Sequence, residues 1–254
     1  MISKLSLIPL SLCTAFVVTG PAKQLQADDE SQKVVCSGDS ITKRDYPDLL
    51  GNLLHVKAIN AGVAGNTSRE GLRRVKKDAL AHHPDVVVLF FGINDIRVDA
   101  PKKHVELNEY KSNLEKIINT CRMQKAKVVL CTLPSIESKA YFTRHEQKLL
   151  DDHGGLEQLI KIYRDTARKV AQHCEVPLVD FNQLLEKDPA WLSKDGVQPS
   201  KEGSQISQNR QLKSCAVAGG RCQSNRIKKD AEFYDGKTEQ ITIKVLFILT
   251  LPLR

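Results

Sequence analysis

The sequence Val-Val-Cys-Ser-Gly-Asp-Ser occupies residues 34–40. Its apolar first half is typical of a short strand that is buried on both faces. The Gly-Asp-Ser that follows is typical of a tight turn, and we expect it to open a helix. A strand, a turn and a helix in this order would place the Ser40 hydroxyl at the rim of a sheet, where a ligand can reach it.

Four more short apolar runs follow along the chain, and segments with helical periodicity separate them. The runs cover residues 56–60, 85–91, 127–133 and 176–181. Apolar side chains recur at helical spacing over residues 107–121 and 156–171. A capping box at residues 67–70 predicts a further helix that runs to about His82. This alternation predicts an α/β fold with a doubly wound, parallel, five-stranded sheet.

Polar clusters that contain glycine follow four of the predicted strands. They cover residues 38–40, 60–66, 92–95 and 195–199. Because the carboxyl ends of parallel strands share one edge of the sheet, we expect all four clusters to form one site. Within them, Asp39 is expected to organise its turn or cap the next helix. We expect Asn66 and Thr67 to serve local hydrogen bonding and helix capping.

The length and the charge distribution narrow the classes of function. With 254 residues, the chain is long enough for one substantial α/β domain. The formal net charge is +8, but residues 28–208 carry 27 basic and 26 acidic side chains. Residues 209–254 carry nine basic and four acidic side chains, so the basicity belongs mainly to the ends of the chain. A nearly neutral domain gives little support to nucleic-acid binding.

Residues 1–27 have the layout of a secretory signal peptide. Lys4 precedes an apolar stretch from Leu5 to Val18, and cleavage is plausible after Ala27. The alternative is an uncleaved anchor, although this apolar run is short for a membrane span. We therefore expect export, either to the periplasm or out of the cell, and no stable membrane span. Export would permit disulfides, but the cysteine spacing fits no zinc pattern and identifies no pair.

The end of the chain differs in character from the predicted domain of residues 28–208. A helix that begins at about Lys201 should close this domain. Residues 210–236 then show no clear period, and residues 241–253 form an apolar stretch that is too short for an ordinary transmembrane helix. We interpret residues 209–254 as an irregular, aberrant basic tail, and we expect its removal to cost little stability.

The four clusters resemble the sequence blocks of the SGNH, or GDSL-type, hydrolases, over roughly residues 33–207. Ser40 stands at the nucleophile position, Gly62 matches the glycine of the second block, and Asn94 matches the asparagine of the third. The resemblance implies a flavodoxin-like, three-layer α/β/α sandwich without a metal or an organic cofactor. It also implies that Ser40 attacks an ester carbonyl. The N–H groups of Ser40 and Gly62 and the amide of Asn94 would then hold the oxyanion.

The last block departs from the family's pattern, which has an aspartate, two residues and then a histidine. Here it runs from Asp195 to Gln198. An amide cannot take a proton from serine near neutral pH, so Ser40 would remain a weak nucleophile. His145 and His153 follow the fourth predicted strand and could reach the site, although each is expected to be an ordinary loop or helix residue.

The resemblance implies a secreted serine esterase for short acyl esters, acetyl esters on carbohydrate among them. Gln198 keeps open the alternative of a catalytically inactive protein that binds a carbohydrate or acyl ligand at the same rim. A further alternative is a phosphate-binding flavodoxin-like domain, because Ser40 opens a helix. That alternative gives Asn94 and Asp195 no reason to converge. The sequence predicts a small-molecule or carbohydrate ester as the partner and does not decide the oligomeric state.

Overall fold

A computed structural model of the chain describes residues 32–185 and 192–200. These residues lie in the unit that begins at Ser31. The predicted signal peptide, the predicted closing helix at about Lys201 and the tail of residues 209–254 lie outside the described residues. Those features therefore stay predictions.

In the part of the chain that is described, five parallel strands form one sheet in the order β2-β1-β3-β4-β5. They are β1 (Lys33–Gly38), β2 (Lys57–Gly62), β3 (Val86–Phe90), β4 (Lys127–Cys131) and β5 (Leu178–Val179). The predicted doubly wound sheet is confirmed, with strand bounds that differ from the apolar runs at their ends. Every residue of β3 is buried, which explains why its sequence is an unbroken apolar run.

Helices occupy the connections between the strands, and one more follows β5. They are α1 (Ser40–Lys43), α2 (Tyr46–Leu54), α3 (Ser68–Asp78), α4 (Leu107–Met123), α5 (Ser138–Tyr141), α6 (Gln147–Asp151), α7 (Leu156–His173) and α8 (Phe181–Leu185), with a 3₁₀ helix at Leu80–His82. Among the helices in the described ranges, none combines the length and the apolar character needed to cross a bilayer.

The helix predicted after the second strand is an α-helix over most of its length and a 3₁₀ helix at its end. Its capping box is confirmed, because the Thr67 hydroxyl accepts from the Glu70 N–H and the Glu70 carboxylate accepts from the Thr67 N–H. However, α3 ends at Asp78, and the last turn tightens into the 3₁₀ helix. Pro84 accounts for the end of the 3₁₀ helix at His82, because a proline disfavours helical backbone in the residue before it, here His83.

The strand order places helices on both faces of the sheet. The connection from β1 to β2 runs in one direction across the sheet, and the later connections run in the other. Because such crossovers are right-handed, α2 covers one face while α3, α4 and α7 cover the other. The packing agrees, since α4 contacts both α3 and α7, whereas α2 contacts β1 and β2. The predicted three-layer α/β/α sandwich is therefore confirmed.

The crossover direction reverses between β1 and β3, which are neighbours in the sheet. Ser40 follows β1 and Asn94 follows β3, both at the carboxyl end. In doubly wound sheets this reversal opens the crevice in which ligands bind. The fold thus brings two of the predicted site residues to the edge of the same crevice.

Four cysteines of the described residues are buried free thiols: Cys36, Cys121, Cys131 and Cys174. Cys36 lies in β1 and Cys131 in β4, and both are buried. Burial raises the pKa of the Cys36 thiol to about 12. A buried thiol that stays protonated is chemically inert, so these cysteines serve the core.

Candidate active site

A tight turn at the end of β1 presents Ser40. The Asp39 carboxylate accepts a hydrogen bond of 2.9 Å from the Ile41 N–H, so the predicted capping role of Asp39 is confirmed. A Cβ on Gly38 would lie 2.0 Å from Thr42 Oγ1 and 2.6 Å from the Phe90 carbonyl oxygen, so the turn requires glycine there. Ser40 is the first residue of α1, and its N–H has no acceptor within that helix.

The side chain of Gln198 lies directly against the Ser40 hydroxyl. Its Nε2 donates a hydrogen bond of 2.7 Å to Ser40 Oγ. Its Oε1 is buried and has no hydrogen-bond partner among the described residues. The position that contacts the serine oxygen therefore holds a neutral amide, which can donate a hydrogen bond but cannot remove a proton near neutral pH.

Asp195 organises the loop that carries Gln198. Its Oδ1 accepts hydrogen bonds from the Ser193 hydroxyl at 2.7 Å and from the N–H groups of Val197 and Gln198 at 3.0 and 2.8 Å. Partial burial alone would raise the pKa of Asp195, but these hydrogen bonds hold that pKa below its usual value. The carboxylate is thus ionised at neutral pH, and its Oδ1 bonds to groups of its own loop rather than to the Gln198 side chain.

Asn94 connects the loop after β3 with the loop after β2. Its Nδ2 donates a hydrogen bond of 2.9 Å to the Asn66 carbonyl oxygen, which uses one of the two amide hydrogens. The residue before Asn66 is Gly65, whose φ is +74° and whose Cβ position faces open space. Within the described residues, the Gly65 N–H donates no hydrogen bond. Asn94 therefore lies beside a loop that holds a free backbone donor.

Gly62, the glycine singled out in the sequence, has a different environment. Its N–H already donates a hydrogen bond of 3.0 Å to Asn60 Oδ1. A Cβ at this position would lie 2.3 Å from the Lys43 nitrogen and 2.6 Å from the Thr42 carbonyl carbon. Gly62 therefore lets α1 pack closely on β2, and its amide is not free for an oxyanion. The sequence signal for Gly65 was its position just before the capping box, in a turn that needs a positive φ.

Gly62→Ala is expected to destabilise the fold by about 3 kcal/mol, because the added methyl group meets backbone atoms that cannot rotate away. Gly65→Ala should cost only about 1 kcal/mol, since its space is open and the positive φ is the main penalty. Urea unfolding followed by circular dichroism measures both values. Equal, small losses for the two variants would contradict the close packing at Gly62.

Two buried carboxyl groups are neighbours of the candidate site residues along the chain: Asp39 precedes Ser40, and Asp95 follows Asn94. Asp39 and Asp95 are almost fully buried, and burial raises the pKa of each from 3.8 to about 7. Asp95 accepts from the Ser68 N–H at 3.0 Å and from the Ser68 hydroxyl. This contact ties the start of α3 to the loop that carries Asn94.

The raised pKa values of Asp39 and Asp95 predict a stability that falls as the pH rises. Between pH 3.8 and about 7 the folded state binds more protons than the unfolded state, so the free energy of unfolding decreases across this window. Asp99 and Asp180 have lowered pKa values, so their stabilising contribution to the free energy of unfolding is lost in more acidic solution. We expect the melting temperature to be highest near about pH 4–5.

Thermal melts from pH 4 to 8 test this profile. Asp39→Asn should flatten the decline, because an asparagine oxygen can still cap the Ile41 N–H without titrating. Asp45→Asn is the matched control, since Asp45 is exposed and its side chain makes no cap hydrogen bond. A melting temperature that rises from pH 5 to 7 would contradict the assignment of the two buried carboxyl groups.

The two histidines that could replace a base have other partners. His145 Nδ1 lies 3.0 Å from Asp99 Oδ2, and the imidazole stacks on Tyr141 with ring centroids 3.9 Å apart. Burial lowers the pKa of His145, although its contact with Asp99 opposes the shift. His153 Nδ1 faces the Leu149 carbonyl oxygen at 2.8 Å. Among the described residues, neither histidine hydrogen-bonds to Ser40, whose side-chain partner is Gln198.

Comparison with known proteins identifies relatives of this chain. A family model described as "GDSL-like Lipase/Acylhydrolase family" matches residues 36–206. The acetylxylan esterase of Geobacillus stearothermophilus is 28% identical over 171 residues, which cover 63% of this chain and 70% of that protein. The uncharacterized lipoprotein YqeF of Bacillus subtilis (strain 168) is 29% identical over 179 residues, which cover 62% and 74% of the two chains. A solved lipase/acylhydrolase from Enterococcus faecalis has a TM-score of 0.58 at 28% identity and covers 70% of this chain and 91% of its own.

Proposed function

Because the chain belongs to the GDSL-like lipase/acylhydrolase family, we propose that it is a serine esterase for short acyl esters, acetyl esters among them. One observation carries the proposal: the side chain at position 198 lies 2.7 Å from the Ser40 hydroxyl oxygen. That is the distance at which a general base serves a nucleophile. The same observation limits the rate, because the side chain at this position is an amide.

In the proposed reaction, Ser40 Oγ attacks the ester carbonyl carbon, and the carbonyl oxygen becomes negatively charged. We assign three donors to this oxygen: the N–H groups of Ser40 and Gly65 and the second amide hydrogen of Asn94. Gly65 takes the role that the sequence assigned to Gly62, because the Gly62 N–H is already bonded to Asn60. Collapse of the intermediate releases the alcohol and leaves an acyl group on Ser40, which water then removes.

The Ser40 proton has no base to receive it at Gln198, so it must pass to solvent. Removal of one member of a catalytic triad leaves a rate about 10³–10⁴ above that in water, which comes from the oxyanion donors and from binding. We therefore propose a slow esterase. Asp195 keeps its loop role, since its Oδ1 accepts from the loop itself.

We also propose that the protein is exported and that its substrate is an ester carried by a carbohydrate. Residues 1–27 have the layout of a signal peptide, and one relative is described as a lipoprotein. A second relative is described as an acetylxylan esterase, which supports acetyl groups on carbohydrate as the substrate class. The nearly neutral charge of residues 28–208 gives nucleic acid no role here.

Gln198 also supports a second candidate function. A site that has the three assigned donors and the Gln198 amide but no base can hold an acyl or carbohydrate ligand without cleaving it. In this alternative the protein is a binding module on a hydrolase fold. Turnover and binding must therefore be measured on the same sample.

The proposal predicts slow hydrolysis of p-nitrophenyl acetate, slower hydrolysis of p-nitrophenyl octanoate, and loss of both activities in Ser40→Ala. Absorbance of released p-nitrophenolate measures the rates, and calorimetry with an acetylated xylo-oligosaccharide measures binding. Hydrolysis that survives Ser40→Ala would refute the esterase. Saturable binding of the oligosaccharide without turnover would favour the binding module.

A further inference from the structure

One guanidinium connects the chain segments that carry the proposed oxyanion donors. Arg74 lies on α3, and its three nitrogens each donate a hydrogen bond of 2.7 Å. Nη2 donates to the Gly38 carbonyl oxygen, Nη1 to the Ala61 carbonyl oxygen, and Nε to Asn66 Oδ1. The acceptors belong to the end of β1, the end of β2 and the loop before α3.

Two of the three acceptors are close along the chain to a proposed donor. Gly38 precedes Ser40 by two residues, and Asn66 directly follows Gly65. The carbonyl of Asn66 also accepts the amide of Asn94. The spacing between all three donors therefore depends on segments that Arg74 holds together.

The Arg74 side chain is itself held in place. Its Nη1 lies 3.2 Å from Asp78 Oδ2, one turn further along α3, and its side chain is 13% exposed. The guanidinium carbon lies 5.9 Å from the centroid of the Phe91 ring. A planar group with several fixed donors can bridge three acceptors at once, whereas the single ammonium of a lysine cannot reproduce that geometry.

We propose that Arg74 is a positioning residue for the oxyanion hole: it sets the distances between the N–H groups of Ser40 and Gly65 and the amide of Asn94. This inference rests on the proposed function. Charge on the substrate oxygen develops mainly in the transition state, so misplaced donors should reduce kcat more than they raise KM.

The first experiment uses the Gln198→His protein and p-nitrophenyl acetate. Arg74→Ala should lower kcat by about 10- to 100-fold, because a small displacement of catalytic groups reduces the rate by about this factor. KM should change by less than about twofold. Millimolar guanidinium should restore part of the lost kcat, and Arg74→Lys should remain slow. The control is Arg73→Ala, because Arg73 is the exposed neighbour on the same helix.

A second pair of variants covers the case that Arg74→Ala does not fold. Asn66→Ala removes the loop acceptor and leaves the two strand carbonyls bonded to Arg74. It should lower kcat, and Asn66→Asp should restore it, because a carboxylate also accepts from Nε. Equal kcat values for Asn66→Ala and Asn66→Asp would count against the positioning role.

A measurement without turnover separates this inference from the proposed function. The ¹⁵N heteronuclear NOE of Gly65 in the unmodified protein should report a rigid amide, and Arg74→Ala should make it mobile while Arg73→Ala does not. If Gln198→His lacks esterase activity, the proposed function fails and the NOE still decides the role of Arg74. A rigid Gly65 in Arg74→Ala, together with a kcat equal to that of Arg73→Ala, would overturn the inference.

Discussion

Gln198→His is expected to raise the rate of short-ester hydrolysis at pH 7 by a factor of about 10² or more. Gln198 Nε2 already lies 2.7 Å from Ser40 Oγ, and the same number of bonds separates Cα from Nε2 in histidine. An imidazole at this position can therefore accept the Ser40 proton. The substitution also removes the buried Oε1, which has no partner in the described part of the chain.

The measurement is the initial rate of p-nitrophenyl acetate hydrolysis from about pH 5 to 9, which brackets the ordinary pKa of histidine. The rate of the variant should rise with pH through a basic limb at about pH 6–7, where the new imidazole loses its proton. Adding Ser40→Ala should abolish the gain, since nucleophile and base act as one unit. Gln198→Asn is the matched control, because it keeps the amide and supplies no base.

Two outcomes would contradict this account of position 198. If the unmodified protein already turns over at ordinary enzyme rates, another group must serve Ser40 as a base. If Gln198→His leaves the rate unchanged while the protein stays folded, the site lacks more than its histidine. The binding module would then be the better description of the protein.

Asn94→Ala, made in the Gln198→His protein, is expected to lower kcat by about 10²–10³-fold, the usual cost of losing one oxyanion donor. The Asn94 amide donates one hydrogen to the Asn66 carbonyl oxygen, and we assign the other to the oxyanion. KM should change little, because the charge on the substrate oxygen appears mainly in the transition state.

The control for this variant is Asn108→Ala, which removes an exposed asparagine at the start of α4. Asn94→Asp should be at least as slow as Asn94→Ala, because a carboxylate repels the developing negative charge. Melting temperatures identify any loss that comes from unfolding. A kcat for Asn94→Ala equal to that of Asn108→Ala would exclude Asn94 from the oxyanion hole.

The architecture of the described domain could be predicted because it follows from local patterns. Short apolar runs and helical periodicity record burial directly, so the five strands and the long helices α4 and α7 were evident in the sequence. The capping box at Thr67 and the cap at Asp39 involve residues within four positions of each other. Pro84 indicated that helical structure ends by His82, whereas the change from α3 to a 3₁₀ helix after Asp78 was seen only in the structure.

The sequence alone also determined which residue types reach the rim of the sheet. Ser40, Asn94 and Gln198 follow strands or lie in a late loop, and parallel strands place such positions at one edge. The replacement of a histidine by Gln198 needs no structure to be noticed, because it is a departure from a spacing pattern. What it means for Ser40 depends on the 2.7 Å contact between the two side chains.

Only the tertiary structure decided which glycine has a free amide. Gly62 is the last residue of β2, Gly65 lies in the loop three residues later, and the position of each along the chain fits a donor at the rim. The difference arises from Asn60, which occupies the Gly62 N–H, and from Lys43, whose backbone packs against Gly62. Contacts made by side chains and by a neighbouring helix leave no periodic trace in the sequence.

The role of Arg74 depends on the tertiary structure in the same way. Two of its acceptors lie 13 and 36 residues away along the chain, and they meet the guanidinium only because β1, β2 and α3 pack together. Apolar periodicity specifies which faces are buried and hence which elements form. The pairing of individual donors with acceptors depends on where those elements end in space, and the folded chain alone sets that arrangement.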